Sequence, residues 1–353
     1  MCDWFMNRIM PKVSVILLTY NSKSKLSHFF NNSLTSILLN NYPNLHLVVV
    51  GNGSKDDTVS YVKERLEKFG IIPFEILMLN KNYGWGGGNN RGAILAKNSE
   101  FLFFLNDDVI LEKDCILKLV TIINKDARLG AVQPMLMNED GTAFCGADLS
   151  ITGLPSAITS SRELFFEIFH ASGAALLTRT KYFFEVGMFD ESLFLYRDDV
   201  DYCWRLRLAG YKVACLSTAK ARHYVSATLG KHNPLFEYYF FRNNIWLLVK
   251  NCDIKYIPFK FFLFLIETLM IIVISLLSKD YLRTMSMVKG FLDGMKGLNV
   301  AVNNRKRVKR TVNENELNKM LKPSIDIRLF IFTFLSLFKA ARAKLIGRIL
   351  QNY

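Results

Sequence analysis

Two acidic runs and one histidine carry the densest chemistry in this sequence. Asn106-Asp107-Asp108 follows directly on the apolar stretch Phe101-Leu102-Phe103-Phe104-Leu105. Adjacent acids at such a point resist joint ionisation unless a cation or donors satisfy them. A hard divalent cation that holds a diphosphate takes one or two carboxylates and leaves its other positions to phosphate oxygens and water. A solvated turn whose acids cap the next helix satisfies the same residues. The second run is Arg197-Asp198-Asp199-Val200-Asp201, followed by Arg205. On a helix beginning here, Asp198 and Asp201 share a face, Asp201 pairs with Arg205 one turn on, and Asp199 points elsewhere. The helix dipole keeps a carboxylate at an N-terminus ionised, which suits a general base. Capping plus a salt bridge accounts for Asp198 and Asp201, and less well for Asp199. His223, within Ala221-Arg222-His223-Tyr224, reads locally as a core histidine before it reads as a metal ligand.

The elements that must position these residues alternate. Residues 13–20 form a short β-rich run ending in Asn21-Ser22, and a helix follows over about 25–39. A second strand, 45–50, ends in Gly51-Asn52-Gly53-Ser54, and Asp56-Asp57-Thr58 caps the next helix to about Phe69. A third strand covers 74–79, and the Gly-rich stretch 84–92 leads into another helix before the strand at 101–105. That stretch is no Walker loop, because no Gly-Lys-Ser/Thr follows, and it comes too late for a dinucleotide fingerprint. Its glycines suit close backbone approach to a ligand and tight helix packing. Polar residues at each strand's carboxyl end predict a doubly wound α/β sheet with its ligand beyond those ends. Between 131 and 225 the pattern mixes short strands (174–177, 212–216) with one helix near 200–209.

The chain has 353 residues, 50% hydrophobic and 22% charged, which excludes a disordered tail, a collagen-like chain and a disulfide-stapled mini-protein. Its formal net charge is +14, from 45 Lys+Arg and 31 Asp+Glu. Residues 254–353 hold 18 and 6 of these, leaving 27 and 25 for the first 253, so the basicity belongs to the C-terminal segment. Six cysteines without a Cys-x-x-Cys pair point to structural thiols in a reducing cytosol. Residues 1–10 include Asp3 and Arg8 and no long apolar run, so no secretory signal is expected.

Taken in order, residues 12–297 resemble the family 2 glycosyltransferases, inverting enzymes of the GT-A fold, and more narrowly their bacterial rhamnosyltransferase-like branch. The resemblance rests on 13–22, Asn52-Gly53-Ser54-Lys55-Asp56, Asn82-Tyr83-Gly84 through Asn89-Asn90-Arg91-Gly92, and Asn106-Asp107-Asp108. Ser172-Gly173-Ala174, Val186 to Glu191, Tyr196 to Arg205, His223, Arg242-Asn243 and Gly290 to Gly294 continue it. It implies a Rossmann-like mixed sheet over 1–235 and a helical, basic region over 236–353. It implies Asp199 as catalytic base, and Asp108, Asp107 and His223 as ligands of Mg²⁺ or Mn²⁺. Thr19, Tyr20, Asn21 and Asn52 would line the base and ribose pocket, Asn82, Gly84, Asn89, Asn106 and Asp107 the rest of the nucleotide-sugar site, and Arg91 the phosphates. Gly173, Asp198, Asp201 and Trp204 would face acceptor and donor. Two departures stand out: Gly51 replaces the family's strand-end Asp, with Asn52 or Asp57 as compensators, and Asp198 is one methylene shorter than the family's Glu.

The same resemblance implies a nucleotide-sugar donor, with dTDP-rhamnose favoured and UDP-galactofuranose or UDP-hexoses open, and a glycan or lipid-linked glycan acceptor. The apolar run 261–277, broken by Glu267 and Thr268, is shorter than the about 20 residues a spanning helix needs. With the basic stretch 305–310 and a second apolar segment, 329–338, followed by Lys339, Arg342, Lys344 and Arg348, it predicts peripheral docking at the cytoplasmic face of the membrane. A buried helical core or a homo-oligomer interface is the competing reading of that run. Net charge alone suggests nucleic acid, but no RRM, KH, zinc-finger or helix-turn-helix signature accompanies it, so no nucleic-acid partner is expected. A non-catalytic sugar-nucleotide-binding subunit is the other alternative, favoured by Gly51.

Overall fold

The computed structural model describes residues 10–70, 72–224 and 233–323. The first half alternates as β1 (Val13–Thr19), α1 (Ser22–Leu38), β2 (Leu45–Asn52), α2 (Thr58–Phe69), β3 (Phe74–Leu79), α3 (Gly84–Leu95), β4 (Phe101–Asn106), β5 (Val109–Leu111) and α4 (Cys115–Ile123). Then come β6 (Leu129–Asn138), β7 (Ala143–Phe144), β8 (Ala147–Leu149), β9 (Pro155–Ala157), β10 (Phe165–Glu167), β11 (Ala175–Arg179), α5 (Thr180–Glu185), α6 (Asp198–Leu208) and β12 (Lys212–His223). Helices α7 (Pro234–Asn251), α8 (Ile257–Leu277), α9 (Tyr281–Lys296), α10 (Leu298–Arg305) and α11 (Glu314–Met320) complete it. The expected division at 235/236 falls at the start of α7.

The main sheet runs β10-β12-β6-β11-β4-β1-β2-β3. Strands β3, β2, β1 and β4 are parallel, and β11 enters antiparallel to both β4 and β6, so the sheet is mixed. Register places the ends of β1, β2 and β4 side by side: Thr19 opposite Gly51, and Leu18 opposite Asn106. Both faces are covered, as parallel strands require. Val13, Val15 and Leu17 of β1 join the cluster under α1, α2 and α4, while Ile16 joins the opposite cluster with Phe183, Tyr202 and Leu206. A third cluster joins Val200, Trp204 and Leu208 of α6 to Phe241 and Ile245 of α7, Phe264 of α8 and Met287 of α9. The C-terminal helices therefore share a core with the helix that carries Asp199.

The Gly-rich stretch does not lead into a helix; it is the first two turns of α3. Glycine is a poor helix former, and packing explains its use here. A Cβ at Gly92 would stand 2.6 Å from Ile16 Cγ2, and one at Gly88 would stand 2.5 Å from Leu18 Cδ1, so α3 lies closer to β1 than a side chain permits. The apolar run 261–277 lies within α8, whereas the segment 329–338 and the cations after it fall outside the described residues.

Helix α9 meets α7 across two more glycines. A Cβ at Gly290 would run into the Tyr238 carbonyl, and one at Gly294 would stand 2.8 Å from Ile245 Cδ1. Backbone cannot yield as a side chain does, so Gly290→Ala should force the two helices apart at a cost of about 1–3 kcal/mol. Thermal denaturation beside an exposed control such as Val302→Ala checks it; equal midpoints would show that the helices tolerate the added methyl.

Candidate active site

Three strand ends and the start of α6 bring the acidic runs to one edge of the sheet. Asn106 closes β4 and accepts a 2.9 Å hydrogen bond from Trp85 Nε1. The same indole packs on Gly173, where a Cβ would stand 2.6 Å from its ring. Gly173 N donates 2.9 Å to Asp199 Oδ2, and Val200 N donates 2.8 Å to Asp199 Oδ1. Asp199 is half-buried, held through both oxygens by backbone N–H groups at the N-terminus of α6. Trp85 therefore stands between the Asn106–Asp108 turn and Asp199.

Asp107 and Asp108 diverge. Asp107 is buried, and Ser22 Oγ donates a short hydrogen bond to its Oδ2. Burial and the neighbouring Asp108 push the Asp107 carboxyl up to about 7. Asp108 is 6% exposed, and its Oδ1 has no hydrogen-bond partner but stands 3.5 Å from His223 Nε2. The β12–β5 pairing sets that approach, with His223 opposite Val109, and Tyr224 N donates 3.1 Å to the Asp108 carbonyl. Among the described residues no group of three or more His, Cys, Asp or Glu side chains converges. Of the three expected metal ligands, two come together. The orphaned Asp108 oxygen and the imidazole nitrogen fit a divalent cation whose other positions go to phosphate oxygens and water.

Several expected ligand contacts are taken up by the fold instead. Thr19 is fully buried, with its hydroxyl on the Val50 carbonyl at 3.1 Å. Asn52 gives its amide to Asn82 Oδ1 and the Gly84 carbonyl, each at 3.0 Å, and accepts from Tyr83 N. Asn82 also caps Gly84 N at 2.8 Å. Gly84, at φ 77°, lets the Phe194 carbonyl approach the backbone. Asn89 is 1% exposed and donates to the Trp85 carbonyl. The Arg91 guanidinium lies 3.7 Å from the Tyr83 ring centroid and 3.1 Å from Glu191. Lys25 is a cation whose charge reaches the acidic turn. It is exposed on α1, its charge acts on Asp107, and it lies over the Tyr20 ring. Asn21 is left-handed at φ 54° and accepts from Lys55 N at 2.7 Å, tying β1's end to β2's.

Gly51 is explained by Val59. A Cβ at position 51 would stand 2.6 Å from Val59 Cγ2, so the space of a strand-end side chain is filled from α2. Of the two expected compensators, Asn52 is engaged by Asn82, and Asp57 pairs with Lys23 at the surface.

On α6 the three acids separate by environment. Asp201 is fully buried and meets Arg205 at 2.7 Å, Lys250 at 3.0 Å and Asn251 at 3.0 Å, a structural anchor and no substrate contact. Trp204 is likewise core, at 0% exposure among Phe169 and its neighbours. Asp190, before α6, is held down to about 2 despite burial by Lys250 and Ser192. Asp198 is 2% exposed, and both carboxylate oxygens lack a hydrogen-bond partner. Burial first, then Asp199, pushes its carboxyl well above the usual range.

Asp198 therefore keeps a proton in the folded chain that the unfolded chain releases above about pH 4. The folded pKa is raised, so the contribution is complete below the unfolded pKa and falls as pH climbs toward the folded one, by up to about 1.4 kcal/mol per pH unit. Asp198→Asn keeps the shape and removes the titration. The decline of melting temperature between about pH 5 and 8 should be shallower in Asp198→Asn than in the parent. Parallel curves would show that Asp198 does not hold its proton.

Residues 14–187 match the family model Glycosyl transferase family 2. The low-salt glycan biosynthesis hexosyltransferase Agl10 of Haloferax volcanii is 21% identical over 224 residues, covering 61% of this chain and 68% of its own. A poly-beta-1,6-N-acetyl-D-glucosamine synthase of Staphylococcus epidermidis is 24% identical over 62% of this chain and 51% of its own, so the chain spans about half the length of relatives of that kind. Among solved structures, the mannosyltransferase PcManGT from Pyrobaculum calidifontis in complex with GDP-Man and Mn²⁺ aligns with TM-score 0.53 at 14% identity over 85% of both chains. S. aureus TarS 1-349 in complex with UDP-GlcNAc aligns with TM-score 0.51 at 18% identity over 72% of this chain and 71% of that one. The likenesses carry the fold, a GT-A mixed sheet with a helical C-terminal part. The family match covers the ends of β1, β2 and β4 and stops before α6 and the end of β12, so the chain carries a glycosyl transferase family 2 domain over residues 14–187.

Proposed function

We propose that the protein is an inverting, metal-dependent glycosyltransferase that moves a sugar from a nucleotide diphosphate to a glycan or lipid-linked glycan hydroxyl. The carrying observation is Asp199, half-buried and held by Gly173 N at the same sheet edge as Asp108 and His223. In this reading Asp199 takes the proton of the acceptor hydroxyl as that oxygen attacks the anomeric carbon. The bond from that carbon to the diphosphate oxygen breaks on the opposite face, which inverts the configuration. Such base catalysis contributes about 10²–10⁴-fold. Asp108 and His223 would hold Mg²⁺ or Mn²⁺, which supplies charge neutralisation to the leaving diphosphate. Lys25 adds positive charge on the same side. The resemblance to rhamnosyltransferases favours dTDP-rhamnose as donor; the UDP-GlcNAc bound by TarS supports a UDP-sugar as the alternative.

Asp199→Asn keeps the hydrogen bond from Gly173 possible and removes the base. Transfer should fall about 10²-fold or more, while UDP or dTDP with Mn²⁺ still raises the melting temperature. Near-normal turnover would overturn the base assignment. A second reading, a subunit that binds the donor without turnover, draws on Gly51 and Val59. It predicts the same nucleotide-dependent stabilisation with no transfer or donor hydrolysis by the parent chain.

We further propose that the enzyme works at the cytoplasmic face of a membrane, docked through α8 and α9. Phe259, Phe262, Ile266, Leu269, Val273 and Leu276 of α8 are exposed at three- and four-residue spacing, a single stripe. Leu282, Met285, Val288 and Leu292 repeat it on α9, beside Lys279, Lys289 and Lys296. One helix, 254–277, is long and apolar enough to cross a membrane, with 28% of its apolar window buried. Its other face is engaged: Phe264 joins the shared core, and Lys260 Nζ reaches Asn318 at 2.9 Å. A helix committed to protein on one side suits lying in the leaflet better than spanning it. Vesicles containing anionic lipid should sediment the protein, and Phe262→Asp with Leu269→Asp should abolish this at unchanged melting temperature. A mutation-sensitive dimer that ignores vesicles would instead make the stripe an interface between copies.

A further inference from the structure

We propose that Arg242 and Asn243 of α7 are positioning residues for the general base, a clamp that holds the backbone leading into Asp198-Asp199. This rests on the reading of Asp199 as base. Phe194, Tyr196 and Arg197 have φ of 64°, 62° and 72°, so three side-chain-bearing residues just before α6 occupy the left-handed region. Such strain persists only where the surroundings over-determine it, and here they do. The Asn243 amide nitrogen donates to the carbonyls of Leu193, Leu195 and Tyr196 at 3.1, 3.0 and 2.8 Å. Arg242 donates to the carbonyls of Ser192 and Leu193 at 3.2 and 2.6 Å. Its Nε also donates 2.9 Å to Asn243 Oδ1. That bond fixes which end of the amide faces the loop, because only the nitrogen end carries donors. The remaining carbonyl, of Phe194, accepts from Trp85 N at 2.8 Å.

The clamp is itself braced from the C-terminal helices. The Arg242 guanidinium lies 4.5 Å from the Trp246 ring centroid, and Trp246 Nε1 donates 2.9 Å to the Gly294 carbonyl. Gly290 and Gly294 let α9 press on α7 beside Tyr238 and Arg242. Two sequence features without an assigned role, Arg242-Asn243 and the glycine pair near 290–294, thus belong to one device. Neither residue touches the reacting atoms; both act through the loop.

Arg242 is half-buried and Asn243 fully buried, so Arg242→Gln is the primary variant and Asn243→Asp the second. Asn243→Asp is nearly isosteric yet presents oxygens to three carbonyls. Both variants should lose about 10–100-fold in kcat, the scale of a displaced catalytic group, with donor KM nearly unchanged. The ratio of donor hydrolysis to transfer should rise, because water needs less exact placement than an acceptor hydroxyl. Amides 193–197 should exchange hydrogen faster, and Arg242→Lys should recover part of kcat. Partial unfolding would lower hydrolysis and transfer together and leave their ratio fixed; that result, or parental kcat in Arg242→Gln, overturns the clamp. If Asp199→Asn also transfers normally, the base reading fails instead, so the two failures are distinguishable.

Discussion

Four consecutive backbone carbonyls, from Leu193 to Tyr196, lie outside any strand or α-helix, and the source of their hydrogen-bond partners shapes the whole site. Buried carbonyls without donors are costly. Here the donors come from two directions: Asn243 and Arg242 of α7 on one side, and Trp85 at the start of α3 on the other. Because Trp85 also bonds Asn106 and packs on Gly173, the loop ties the end of β4, the start of β11 and the start of α6 into one piece. The glycines of α3 follow from that geometry. Gly84 clears the Phe194 carbonyl, and Gly86 clears Asp198, whose Oδ1 would stand 2.7 Å from a Cβ there.

The acids near this loop show how environment separates identical side chains. Asp201 is surrounded by Arg205, Lys250 and Asn251, and Asp190 by Lys250, Ser192 and Asn304, so both are structural anchors. Asp198 receives no donor and stays protonated, while Asp199, half-buried, receives two backbone N–H groups. Burying four charges together would be prohibitive. Asp190 and Asp201 share Lys250, Asp201 also pairs with Arg205, burial favours the protonated form of Asp198, and Asp199 accepts from the N–H groups of Gly173 and Val200. Of the three acids of α6, the one not fully buried is Asp199, the one in position to accept a proton.

Much of this was legible in the sequence because it is local. Alternating apolar runs and polar strand ends gave the sheet's parallel half, and Asp201 with Arg205 at helical spacing gave a pair that the structure contains. What escaped depends on tertiary register. Nothing near Thr19 or Asn52 announces that their side chains bond to β2 and to the start of α3, and nothing near Arg91 announces Glu191 a hundred residues later. Glycines at 86–88 read as a lead into a helix because helix propensity is local, whereas Gly86 and Gly88 are inside it because Asp198 of α6 and Leu18 of β1 press on them. Trp85, Ser22 and Lys25 were equally hidden: each matters for what it faces, and facing is set by the fold.

The basic C-terminal region also divides on inspection. Arg305 Nη1 donates to the Val249 carbonyl at 2.9 Å and to that of Cys252, while Arg310 donates to those of Lys250 and Asn251 at 2.7 and 2.8 Å. These are the last carbonyls of α7, which have no helical donors of their own and carry the negative end of its dipole. Lys250 in the same turn faces Asp190 and Asp201. Arg305 and Arg310 thus terminate α7 while Lys250 balances Asp190 and Asp201, which makes these three cations a requirement of the site's architecture. Among the described residues, Lys279 between α8 and α9 and Lys289 and Lys296 of α9 are exposed near the apolar stripe. Charge counted along the chain pointed to one partner; charge placed in the fold serves two, and the inward one fixes where α7 can hold the base.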